Sequence, residues 1–109
     1  MREIDIAQFA TALEGGAAVV DVRETAEYAR AHVPGTVSIP MGRLTSRLAE
    51  LDRSVPVHLI CATGNRSGAM ADFLAAQGFD AVNVVGGVAA WARSGRPIVR
   101  AAVPAGATR

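Results

Sequence analysis

The sequence predicts an α/β fold in which short strands form a mostly parallel sheet covered on both faces by helices. Three observations carry this reading. Apolar, β-branched runs recur at AAVVDVR (17–23), PVHLIC (56–61) and AVNVV (81–85). Segments of helical period separate them, and glycine or proline marks most junctions. At 109 residues, 50% hydrophobic and 19% charged, the chain has the size of one globular domain that buries roughly two thirds of its unfolded surface.

Each element follows from local pattern. EID near the N-terminus opens a short strand, and Asp5 is placed to cap a helix whose Ile6, Phe9 and Leu13 share one face before Gly15 and Gly16 end it. AAVVDVR is apolar and ends in charge, as a buried strand does. TAEYARAH makes a short helical turn that VPG (33–35) stops. TVSIP is a third strand. MGRLTSRLAEL (41–51) reads as a helix carrying Leu44, Leu48 and Leu51 on one face, and PVHLIC as a fourth strand. RSGAMADFLAAQG is a helix beginning near Arg66 or Ser67 and closed by Gly78; AVNVV is a fifth strand, and VAAWARSG a last helix closed by Gly95.

Composition excludes several classes of function. The net charge is +1 and the basic residues are scattered, so neither nucleic acid nor an anionic membrane is an expected partner. No apolar run approaches the roughly 18 residues of a membrane span, and MREIDIAQF lacks the apolar core of a signal peptide, which together predict a cytoplasmic protein. A single cysteine rules out an internal disulfide, and with His32 and His58 as the only histidines neither a zinc site nor any other metal or cofactor is expected.

That cysteine is the candidate nucleophile. Cys61 ends a predicted strand just before a helix, at the strand end where ligands bind in such sheets. The free amides and dipole of a helix start attract anions, and a thiolate is one. In such surroundings a thiol pKa falls from about 8.5 toward roughly 5 to 7. Gly64 allows the loop to curl so that amides converge, Arg66 adds positive charge, and Ser67 is placed to cap the helix and to donate to a bound group. The loop Ala62, Thr63, Gly64, Asn65, Arg66 and Ser67 is thus a candidate anion cradle with Cys61 at its base.

Three motifs resemble those of single-domain rhodanese-like sulfurtransferases, over nearly all of the chain up to Pro97. VVDVRETAEYARAHVPGTVSIP resembles the family's N-terminal signature, CATGNRS its six-residue active-site loop with the usual following serine, and VVGGVAAWARSGRPI its C-terminal signature. The resemblance implies a three-layer α/β/α domain over residues 1–98, a mainly parallel five-stranded sheet of order 1-5-4-2-3, and a flexible tail over 99–109. It also implies a reaction. Cys61 would take a sulfane sulfur from thiosulfate or a related donor, hold it as a persulfide stabilised by the amides of residues 62–67, and pass it to cyanide, a small thiol or a protein acceptor.

The chain departs from the family pattern at Ala31, Thr36 and Ser38, which are structural positions, and at Ala62, where many relatives carry a basic residue. The last departure predicts a weaker pull on thiosulfate. Other residues are read as structural: Arg23 as pairing with a carboxylate such as Glu27, His32 as satisfying backbone around the VPG turn, Trp91 as core, and Gly86 with Gly87 as a close backbone approach near the site. His58, three residues before Cys61, falls on the other face of its strand, so no Cys-His dyad is expected.

Two rival functions share the fold. A phosphatase or arsenate reductase of this kind places five residues between cysteine and arginine, whereas four lie between Cys61 and Arg66, and the chain has no second thiol for arsenate reduction. A non-catalytic binding module often lacks the cysteine. Here the loop is intact.

Overall fold

The computed structural model describes residues 1–101. Its main sheet has five strands, β1 (Arg2–Ile4), β2 (Ala18–Asp21), β4 (Val37–Ser38), β5 (Val57–Ile60) and β6 (Ala81–Val84), all parallel in the spatial order β1-β6-β5-β2-β4. Counted within that sheet alone, the order is 1-5-4-2-3, as expected. β2, β5 and β6 lie in the middle with both faces covered, which is why their sequences run apolar without polar alternation.

Two half-cores flank the sheet. Val20, Val57, Leu59 and Cys61 point to one side, where α3 (Met41–Leu44) and α4 (Asn65–Ala76) close over them with Leu44, Ala71 and Leu74. Val19, Ile60 and Val84 point to the other, against α1 (Ile6–Glu14) and α5 (Gly87–Arg93), whose Phe9 and Trp91 meet edge to face at 5.4 Å. α1 starts at a capping box: Asp5 accepts from the Gln8 amide at 2.8 Å and Gln8 accepts from the Asp5 amide at 2.9 Å.

Three elements differ from the sequence reading. The helix expected over 41–51 is broken into α3 and a 3₁₀ turn at Leu48–Glu50. Ser46 explains the break, because its amide and hydroxyl both bond to the Arg43 carbonyl and replace the helical ladder, while Leu44, Leu48 and Leu51 still reach the same core. The helical turn at 25–32 ends earlier: α2 covers Thr25–Arg30, and β3 (Ala31–His32) pairs antiparallel with β7 (Val99–Arg100). Of the tail expected from residue 99, two residues therefore form a strand, and 102–109 lie outside the described residues. Among the described residues, no helix is long and apolar enough to cross a membrane.

Candidate active site

Cys61 follows β5 directly and is 1% exposed. The backbone after it turns sharply into α4 through Gly64, whose φ of +106° a side chain would rarely adopt. That turn aims the Gly64 amide at the sulfur, with N to Sγ 3.1 Å. The loop is held from behind by α5. The amides of Val88 and Ala89 donate to the carbonyls of Cys61 and Ala62, each at 2.9 Å, so these carbonyls point away from the thiol. Gly87 makes the approach possible, since a Cβ there would sit 2.3 Å from the Cys61 carbonyl oxygen. The close backbone contact expected of Gly86 and Gly87 is present.

Burial pushes the Cys61 thiol up, but the Ser67 hydroxyl and the amides of Ser67, Gly64 and Thr63 together outweigh it and bring the thiol below its ordinary range. Ser67 does not cap α4. Gly64 occupies the capping position, and Ser67 sits inside the first turn, fully buried, with Oγ 3.3 Å from Sγ and 2.6 Å from Asn83 Oδ1. Thr63 and Asn65 are exposed on the rim, and Ala62 is half-buried.

The charges pair differently from the sequence reading. Arg23 does not reach Glu27; it forks onto Asp21 with contacts of 2.8–3.1 Å, both side chains being buried, and donates to the half-buried Ala31 carbonyl at 2.7 Å. Glu27 pairs with Arg66 through two hydrogen bonds of 2.7 and 3.0 Å. The Arg66 guanidinium brings the Glu27 carboxyl down to about 2, against the opposing effect of burial. Arg66 is therefore a neutralised cation beside the loop, not a free one.

His58 lies on the opposite sheet face from Cys61, as its strand position requires. His32 bonds to Tyr28 instead of the VPG turn: its Nδ1 lies 2.8 Å from the Tyr28 carbonyl and the two rings stack at 3.8 Å. The turn itself is tied by Tyr28 Oη donating to the Thr36 carbonyl and Thr36 Oγ donating to the Val33 carbonyl. Asn83 is the site residue that sequence reasoning missed, and Glu27 was assigned to Arg23 where its partner is Arg66. A signal for Asn83 was present, since one amide inside an apolar strand must find buried partners.

The chain belongs to the rhodanese-like domain family, whose model matches residues 5–94. It is 38% identical over 82 residues to a protein of Allochromatium vinosum named "Sulfurtransferase", covering 74% of this chain and 77% of that one. A match at 43% identity over 74 residues joins it to the "Putative sulfur carrier protein YrkF" of Bacillus subtilis, covering 67% of this chain and only 40% of that longer protein. The crystal structure of a rhodanese-related protein from Thermoplasma volcanium is similar with a TM-score of 0.85 and 33% identity, over 91% of this chain and 98% of that one.

Proposed function

We propose that the protein is a sulfurtransferase that carries a sulfane sulfur on Cys61. The observation that carries the reading is the geometry of one sulfur atom: a buried thiol at a helix start, with the Gly64 amide at 3.1 Å and the Ser67 hydroxyl at 3.3 Å. In the proposed reaction the Cys61 thiolate attacks the outer sulfur of thiosulfate, the sulfur–sulfur bond of the donor breaks, and sulfite leaves with its electron pair. Cyanide or a thiolate then attacks the terminal sulfur of the persulfide, forming thiocyanate or a new persulfide and returning the Cys61 thiolate. Amides aimed at the sulfur stabilise the anion in both steps. The relatives named for sulfur transfer and sulfur carriage support the same chemistry.

Charge refines the donor. With Ala62 in place of a cation and Arg66 neutralised by Glu27, the loop offers little net positive charge to a dianion. Persulfides of small thiols, whose sulfur terminus carries a single charge, suit it better than the thiosulfate dianion, and a protein persulfide can serve as donor or acceptor. A phosphatase reading fits poorly, because four residues between Cys61 and Arg66 and a thiol that is 1% exposed leave little room for a tetrahedral oxyanion.

Intact-mass measurement tests the proposal. Incubation with a small-thiol persulfide, and more slowly with thiosulfate, adds a sulfur atom that cyanide removes as thiocyanate, and Cys61→Ser abolishes the addition. An unchanged mass with every sulfane donor, or transfer by Cys61→Ser, overturns it.

A further inference from the structure

We propose that Asn83 is a positioning residue that competes with Cys61 for the Ser67 hydroxyl hydrogen and so limits how far the site favours the thiolate. The inference follows from counting hydrogens. Asn83 is 2% exposed in β6, and its Nδ2 lies 3.0 Å from Glu3 Oε2 and 3.2 Å from the Gly64 carbonyl oxygen. Both neighbours accept only, so the amide nitrogen must face them and Oδ1 must face Ser67. Gly68 leaves room for this arrangement, because a Cβ there would stand 3.3 Å from Nδ2.

Ser67 Oγ is 2.6 Å from Asn83 Oδ1 and 3.3 Å from Cys61 Sγ. It has one hydrogen for two acceptors. Either acceptor can hold it, since 3.3 Å is an ordinary length for a bond to sulfur; when Asn83 holds it, the hydroxyl shows the sulfur a lone pair. A thiol is satisfied by that lone pair, since S–H can donate to Oγ; a thiolate is not. Ionisation forces a choice. Either the hydroxyl swings to the sulfur and leaves Asn83 Oδ1 buried without a donor, or the sulfur anion goes without it. Each alternative sacrifices one buried hydrogen bond, which raises the thiol pKa by about one unit relative to a site with a free hydroxyl. The Gly64 amide, at 3.1 Å, serves the sulfur in either state. The Ser67 hydroxyl and the loop amides lower the thiol pKa, and Asn83, by competing for the hydroxyl, limits its share of that effect and the thiolate population open to adventitious oxidation.

The inference rests on Cys61 as the sulfur carrier, but its test needs no sulfur donor, so the two readings can fail separately. The charged groups around the thiol are Arg66 with Glu27, Asp21 with Arg23 at the end of β2, and Glu3 behind Asn83. Substitution at Asn83 or Ser67 removes none of them. Titration of the ultraviolet thiolate absorbance is the measurement, made on proteins whose native circular dichroism is verified.

Asn83→Val, which suits a strand, frees the hydroxyl, and the Cys61 pKa falls by about one unit, a tenfold rise in the thiolate-to-thiol ratio. In a Ser67→Ala background the same substitution has no effect on the pKa. Asn83→Ala, which also removes the acceptor facing Ser67 and adds no charge, lowers the pKa in the same direction, and it carries the test if the valine variant does not fold. An unchanged or raised pKa in Asn83→Val, or in Asn83→Ala where the valine variant does not fold, or a shift that survives in Ser67→Ala, overturns the proposal.

Discussion

Arg66 can draw an anionic donor toward Cys61 only with charge to spare, and Glu27 takes up that charge through a two-point contact. The pair's side chains are 36% and 31% exposed, so solvent limits its worth to about 1 kcal/mol of stability despite the large shift in the Glu27 carboxyl. Its larger effect is on binding. Glu27→Gln releases the guanidinium, and the KM for thiosulfate is expected to fall about threefold or more, with at most about 1 kcal/mol lost in stability. Steady-state thiosulfate-to-cyanide kinetics and urea denaturation measure the two effects; a KM that stays at the parent value would show that Arg66 does not steer the donor. Cys61 was legible because strand, thiol, glycine and helix follow one another in the chain. The partner of Arg66 was not. Asp21 and Glu27 are both close to Arg23 in sequence, and the choice among these carboxylates depends on how α2 and α4 are brought together.

Elements position the loop as much as its own residues do. The central strands β2, β5 and β6 could be read from apolar runs, and the start of α4 from the Gly64 turn, but β3 and β7 have two residues each and carry no periodic signal. The break between α3 and the 3₁₀ turn was hidden for a different reason. Leu44, Leu48 and Leu51 keep helical spacing while Ser46 diverts the backbone. The docking of α5 on the loop was visible only as a pair of glycines. Gly87→Ala tests that docking: its φ is +59° and the new Cβ would meet backbone at 2.3 Å, with no flexible side chain able to give way. A loss of about 3 kcal/mol or more is expected, together with loss of sulfur transfer as the Cys61 and Ala62 carbonyls are displaced. Gly42→Ala is the control. Gly42 is exposed in α3 with open space around it, and alanine there is expected to stabilise by about 0.5–1 kcal/mol with transfer intact. Denaturant curves and transfer rates for the two variants give the comparison, and equal behaviour would remove α5 as the support of the loop.

At the scale of the whole molecule, acid stability depends on a group remote from the thiol's face of the sheet. His58 is 8% exposed in β5 and its Nδ1 has no hydrogen-bond partner among the described residues. Burial lowers its pKa, with the Arg2 charge adding to the effect while the Ala18 backbone and Asp80 oppose it. The folded state therefore binds a proton less readily than the unfolded chain, whose histidine titrates near 6.5. Above that pH both states are neutral and nothing is lost. As pH falls below it, the unfolded chain gains a proton first, and stability declines by up to about 1.4 kcal/mol per pH unit until the folded histidine titrates as well. The Arg66–Glu27 pair contributes in a separate window, as Glu27 protonates between its ordinary value of 4.5 and about 2. Comparing pH 7.5 with pH 5.5 isolates the first effect. His58→Val places a β-branched residue in a strand buried on both sides and removes the titrating group. Urea denaturation is expected to show the parent losing up to about 1.4 kcal/mol between these two pH values and the variant losing clearly less, with the difference attributable to His58 because His32 is common to both proteins. The same pH dependence in parent and variant would mean that His58 is as readily protonated in the fold as in the unfolded chain, and that its buried nitrogen finds a partner on protonation.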